Sequence, residues 1–391
     1  MTGHSSCTAA FLKGEPALLK LRDGTSFSGR LLFPAPACVG ELVFHTGMSG
    51  YQEILTDPSY SHQIITFTYP HIGNTGVNSE DMEATQVHAS AMLVRCPIEA
   101  PSNYRATQGL YEWLEAQRVP VLAEVDTRAI THRLRDKGAV DAAIVALGDA
   151  PQRAAAQADE LLSGFSGLTN SDLAHMVTRS VEENWSQTGW RYPNGYATNT
   201  SGPLVVVLDF GVKHNILRML AEYGLQPLVL PANANAEQIL AQKPHGVLLA
   251  NGPGDPAPLN YAISTIKQLV DSGLPLFGIC LGFQLLALAL GATTLKMKFG
   301  HHGANHPVQD VSSKRVYITS QNHGFMVNLN SLPPSMQVTH LSLFDGSLQG
   351  FRLADKPVFA LQGHPEASPG PHDINHLFAT FAERVQAHAK A

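Results

Sequence analysis

The chain has 391 residues, 44% of them hydrophobic and 15% charged, with a formal net charge of −6. That length gives room for two domains, or three, and the acidic balance speaks against a general nucleic-acid or anionic-membrane surface. Four dispersed cysteines (Cys7, Cys38, Cys96, Cys280) with no C-x-x-C pair fit a reducing cytosol better than a disulfide framework or a zinc site.

Residues 1–13 hold no charged segment followed by a long apolar core, so no secretory signal is expected there. Short strand patterns follow at 17–21, 26–32, 41–45 and 63–68, between Gly, Pro and Asp punctuation. Helices are predicted at about 104–117, then from the N-cap Asp126 to the C′ glycine Gly138, then across the Ala-rich run 151–162. From 166 to 202 the pattern dissolves into polar and turn-forming residues, which reads as a linker between an N-terminal domain (1–165) and a C-terminal one (203–391).

Past the linker, apolar strands at 204–208, 227–230, 246–250 and 274–279 alternate with helices at 215–223, 236–242 and 261–272. Strands without a polar face, separated by helices, predict an α/β fold with a doubly wound, mostly parallel sheet. The N-terminal part reads as a mixed, β-rich α/β domain. The uncharged stretch 272–295 is long enough to span a bilayer, but Pro275, Gly278, Gly282, Gln284 and Gly291 make it a buried strand, turn and helix instead.

At the centre of that stretch stands Gly278-Ile279-Cys280-Leu281-Gly282. An apolar strand before it and a Leu/Ala-rich helix after it predict a nucleophile elbow, with Cys280 at the apex and at a helix N-terminus that favours a thiolate. Downstream, Gly363-His364-Pro365-Glu366 places a base and a carboxylate on a stiff segment. The loop Asn251-Gly252-Pro253-Gly254-Asp255-Pro256 lacks a Walker ending and a dinucleotide fingerprint, so it suits an oxyanion or a substrate carboxylate better than a nucleotide. The His301-His302-Gly303-Ala304-Asn305-His306 run matches no standard zinc spacing and reads as a polar loop, so no metal is assigned. Gln321-Asn322-His323-Gly324-Phe325, after a strand at 316–319, could grip a small polar ligand.

The elbow, the Asn-Gly-Pro-Gly-Asp-Pro loop and the His-Pro-Glu ending, in this order, resemble the class I (triad) glutamine amidotransferases. Phe299-Gly300-His301-His302-Gly303, Gln321-Asn322-His323-Gly324-Phe325 and the residues after His364 narrow the resemblance to the small, glutamine-hydrolysing subunits of carbamoyl-phosphate synthase. So do Met48-Ser49-Gly50-Tyr51-Gln52-Glu53 and Tyr69-Pro70-His71-Ile72-Gly73-Asn74 in the N-terminal half.

The resemblance implies that Cys280 attacks the glutamine amide to give a γ-glutamyl thioester, with His364 as base then acid and Glu366 orienting it. It implies an oxyanion hole from N–H groups near Gly254 and Leu281, and glutamine contacts from Ser59, Gly252, Gln284, Asn322, Gly324 and Phe325. Ser59 would then reach the site from the N-terminal domain. Phe283 stands where relatives often carry His. The resemblance also implies a cytoplasmic enzyme of arginine and pyrimidine biosynthesis, in a heterodimer or larger assembly. Its ammonia would pass to a large subunit that holds ATP and metal, and this chain would bind no cofactor of its own. A cysteine peptidase-like hydrolase, or a non-catalytic regulatory subunit, are the alternatives.

Overall fold

A computed structural model describes residues 14–390, so the reading of residues 1–13 lies outside the described residues. The chain forms two compact units, Met1–Leu168 with Lys298–His302, and Thr169–Met297 with Gly303–Ala391.

The first unit is a closed seven-stranded barrel. Its strands are β1 (Glu15–Leu21), β2 (Ser26–Leu31), β3 (Cys38–His45), β4 (Gln63–Phe67), β5 (Ala91–Leu93), β6 (Val121–Ala123) and β7 (Val140–Ala146), in the order β1-β2-β6-β5-β4-β3-β7. β3 through β6 pair in parallel, and the remaining pairs are antiparallel. Both faces of the parallel strands are covered. Leu42, Ile64 and Leu93 pack with Ile130 and Leu134 of one helix, while Val43, Ile65 and Met92 meet apolar residues from two others. Those helices are α1 (Tyr51–Thr56), α2 (Leu110–Ala116) and α3 (Thr127–Lys137), and α4 (Pro151–Gly164) follows.

The helix predicted at 104–117 is shorter than its pattern. Thr107 and Gln108 donate their N–H groups to the Val77 carbonyl, which holds that segment extended, so α2 begins only after Gly109. α3 begins as predicted, with the Asp126 carboxylate accepting from the Ala129 N–H at 3.0 Å. Asp126→Ala is expected to lower stability by about 1 kcal/mol in equilibrium urea unfolding, the usual loss of a cap.

The second unit is built on a ten-stranded sheet. Its strands are β8 (Glu183–Asn184), β11 (Leu204–Asp209), β12 (Gln226–Pro231), β13 (Gly246–Leu249), β14 (Leu276–Ile279), β15 (Thr294–Asp310), β16 (Val316–Val327), β17 (Met336–Ser342), β18 (Leu348–Leu353) and β19 (Val358–Leu361), while β9 (Gln187–Arg191) and β10 (Gly195–Thr198) form a separate hairpin. The order β12-β11-β13-β14-β19 is parallel throughout. Antiparallel strands extend it, β8 beyond β12, then β18, β17, β15 and β16 beyond β19.

The helices are α5 (Ala174–Val177), α6 (His214–Glu222), α7 (Ala236–Ala241), α8 (Asn260–Asp271), α9 (Leu281–Ala289) and α10 (His376–His388). One sheet face, with Val206, Leu208, Val247 and Leu276, packs on α7, α8 and α9. The other, with Val205, Val207, Leu248 and Phe277, packs on α6 and α10. Burial on both faces explains why these strands show no alternation.

The span 166–202 reads as a linker by composition, yet it carries α5, edge strand β8 and the β9–β10 hairpin. Several of its anchors are polar, beside the apolar packing of Ala174 and Trp185. Arg218 of α6 donates to the Gln187 side chain at 2.8 Å and lies over the Tyr196 ring, and Asn199 donates to the Ala221 carbonyl at 3.0 Å. Contacts of this kind leave no apolar periodicity in the sequence. The His301–His306 run is likewise not a loop but part of β15. The 272–295 stretch is β14, a turn and α9, and no helix of the described residues is long and apolar enough to cross a membrane.

Candidate active site

Parallel pairing puts the carboxyl ends of β11, β13, β14 and β19 along one edge of the sheet, and Gly252, Gly254, Cys280, His364 and Glu366 follow those ends. β14 ends at Ile279, and Cys280 takes φ 54° and ψ −104° before α9 begins at Leu281. Positive φ in a residue bearing a Cβ costs of order 1–3 kcal/mol and persists only where the surroundings enforce it. Here they do, because the Cys280 N–H donates to the Leu361 carbonyl at 2.9 Å and its own carbonyl accepts from the Gln284 N–H at 3.1 Å. Gly282 lets the helix come close to β13, since a Cβ there would lie 2.1 Å from the Leu249 carbonyl oxygen.

β19 delivers the second part of the site. His364 and Glu366 are buried, and His364 Nδ1 lies 2.6 Å from Glu366 Oε1. The backbone of His364 is fixed by its N–H donating to the Ser320 carbonyl at 2.9 Å. Its Nε2 makes no conventional hydrogen bond. Burial opposes the imidazolium, but the Glu366 carboxylate and the nearby Cys280 sulfur outweigh it and push the His364 pKa well above its ordinary value.

Glu366 shows the opposite balance. Burial opposes its carboxylate, yet Lys213 first and His364 second hold its pKa well below the usual range. Lys213 Nζ sits 3.1 Å from Glu366 Oε1 and also donates to the Ala367 carbonyl. Cys280 Sγ lies 3.6 Å from the Asn322 carbonyl and 3.8 Å from the Gln362 side-chain nitrogen.

The structure thus brings Cys280, His364 and Glu366 together in the second unit. Gly252 lies against β11, where a Cβ would meet the Phe210 carbonyl oxygen at 2.2 Å. The N–H groups of Gly254 and Leu281 donate to no group among the described residues. Asn322, Gly324 and Phe325 all lie on β16, which continues past its predicted end at 319. Gln284 is buried, and its side-chain nitrogen donates to the Phe325 carbonyl at 2.8 Å and to Gln362 Oε1 at 3.1 Å. Ser59 belongs to the first unit, in a 3₁₀ turn where its N–H donates to the Asp57 carboxylate at 2.9 Å. Among the described residues no cluster of His, Cys, Asp or Glu could hold a metal ion.

Two residues of this arrangement escaped the sequence reading. Lys213 lies four residues past β11, in a loop shaped by the Asp209 carboxylate, which accepts from the Gly211 and Val212 N–H groups at 3.0 and 2.8 Å. A lysine shortly beyond the apolar run 204–208 was the available signal. Gln362 directly follows β19. It completes a chain of amides from Phe325 through Gln284 to the Cys280 sulfur.

Comparison with known proteins identifies the family. The family model "Glutamine amidotransferase class-I" matches residues 206–384, and "Carbamoyl-phosphate synthase small chain, CPSase domain" matches residues 19–144. The carbamoyl phosphate synthase small chain of Ralstonia nicotianae is 53% identical over 377 residues, covering 95% of this chain and 98% of the relative. That of Thioalkalivibrio sulfidiphilus is 53% identical over 373 residues, covering 95% and 97%. That of Escherichia coli K12 is 51% identical over 380 residues, covering 96% and 99%. With identity of this order along both units, the chain belongs to the carbamoyl phosphate synthase small chain family and carries its class-I glutamine amidotransferase domain.

Proposed function

We propose that the chain hydrolyses L-glutamine through Cys280, His364 and Glu366 by way of a γ-glutamyl thioester. The observation that carries this reading is the His364–Glu366 pair at 2.6 Å, with the opposite imidazole nitrogen left without a conventional partner near a thiol on a strained elbow. His364 Nε2 takes the thiol proton as Cys280 Sγ bonds to the amide carbon. The developing oxyanion is received by the N–H groups of Gly254 and Leu281. His364 then returns the proton to the departing nitrogen, ammonia leaves, and water activated by the same imidazole cleaves the thioester. Glu366 holds Nδ1–H and fixes the tautomer, and Lys213 keeps Glu366 ionised. Gly252, Gln284, Asn322, Gly324 and Phe325 form the glutamine pocket in this reading.

Ammonia at neutral pH is mostly ammonium, which is no nucleophile, so the product is useful only if passed directly to a second site. We therefore place the chain with a large, ATP-using carbamoyl phosphate synthase chain, in the cytoplasm, supplying arginine and pyrimidine synthesis. The name "small chain" borne by the relatives supports a larger companion.

Glu366→Gln tests the triad. Steady-state kinetics should show kcat lower by about a hundredfold or more with little change in KM, because the change disturbs the imidazole and leaves the pocket. A rise in KM alone would sink the assignment.

A further inference from the structure

A cavity of about 260 Å³ in the second unit lies between β17–β19 and helix α10. Two arginines reach it, Arg352 from β18 and Arg384 from α10, and their positive charges oppose each other. Among the described residues neither guanidinium pairs with a carboxylate. Arg352 is held by a neutral acceptor, with its Nε donating to Gln337 Oε1 at 3.1 Å. Arg384 is held by an aromatic face, with its guanidinium carbon 4.7 Å from the Phe359 ring centre. Burial, and then Arg352, push the Arg384 pKa below its ordinary value.

The one acid lining the cavity, Asp310, is committed elsewhere. Its Oδ1 accepts from the Ser312 N–H at 2.8 Å, the Ser312 hydroxyl at 2.7 Å and the Ser313 N–H at 2.7 Å, and its Oδ2 faces His340 Nε2 at 3.9 Å. Both guanidinium groups thus line one cavity, and neither pairs with a carboxylate among the described residues. A dianion between them would turn the repulsion into two charge-assisted contacts. Phe359, Leu361 and Leu377 supply an apolar wall beside that charge, so the occupant has a hydrophobic body as well.

We propose that this cavity is a binding site for a phosphate monoester with a flat apolar body, its phosphate held by Arg352 and Arg384. Nothing in the proposal depends on the reaction at Cys280. The wall strand β19 ends at Leu361, three residues before His364, so an occupied cavity would brace the strand that carries the imidazole.

Phenyl phosphate is the probe, titrated calorimetrically into the full chain, with inorganic phosphate and phenol as controls. Saturable binding at one site is expected, weakened about tenfold or more by each of Arg352→Gln and Arg384→Gln. Phenyl phosphate should also raise the melting temperature of the wild type and not of the variants. Absence of saturable binding, or affinity unchanged in both variants, would overturn the site. Equal affinity for inorganic phosphate would overturn the apolar half of the proposal. Arg352 is exposed, so Arg352→Gln keeps the test open should Arg384→Gln fold poorly.

Discussion

Replacing Cys280 with serine is expected to lower glutamine-dependent turnover by about a thousandfold or more, the scale on which triad nucleophiles act. The substitution removes the sulfur while keeping a small polar side chain at the apex, and the elbow's backbone bonds to Leu361 and from Gln284 do not involve it. Binding of glutamine should therefore persist. With the large chain of the family present, carbamoyl phosphate formation from added ammonia should persist too, because that route bypasses the thioester. Coupled assays with glutamine and with ammonia as nitrogen source separate the two. Glutamine-dependent turnover within tenfold of wild type would show that the sulfur is not the nucleophile.

Lys213→Met should have the largest effect on stability. It leaves the Glu366 carboxylate buried without its cation, and breaking a buried pair from one side costs about 3–5 kcal/mol. The pH dependence follows from the sign of the Glu366 shift. Its pKa is lowered by folding, so its ionised form stabilises the protein above the ordinary value of 4.5, and that contribution is lost as pH falls toward about 2. Removing Lys213 takes away much of that contribution. The gap in unfolding free energy between wild type and variant should thus be widest near neutrality and narrow as the solution is acidified below about pH 4.5. Urea unfolding at about pH 7 and about pH 3 measures it. A gap of equal size at both would mean that Lys213 acts through packing rather than charge.

The parts of this protein legible in the sequence are those whose signal is local. The elbow declares itself through Gly278, Cys280 and Gly282, because the close approach to β13 admits no Cβ. The parallel centre of the sheet shows as Val/Leu runs, because both faces are buried. What stayed hidden depends on partners distant in the chain. Barrel closure needs β1 to meet β7, and β17 and β18 join the sheet only through antiparallel pairing, which no periodicity encodes. Lys213 was missed for the same reason, since its partner lies 153 positions on at Glu366. The β9–β10 hairpin within 166–202 leaves no periodic signal, because side-chain hydrogen bonds and a cation–π contact tie it to α6.

The first unit is discontinuous, with Lys298–His302 as its second piece. A ribosome adding about 5–20 residues per second reaches that piece many seconds after it passes Leu168. Through that interval the barrel exists without part of its own unit, while the strands of the second unit are still emerging. A fragment cut at Leu168 would keep all seven barrel strands but lose the Lys298 carbonyl that accepts from the Ala139 N–H at 2.7 Å, so the apparent boundary does not enclose a complete unit.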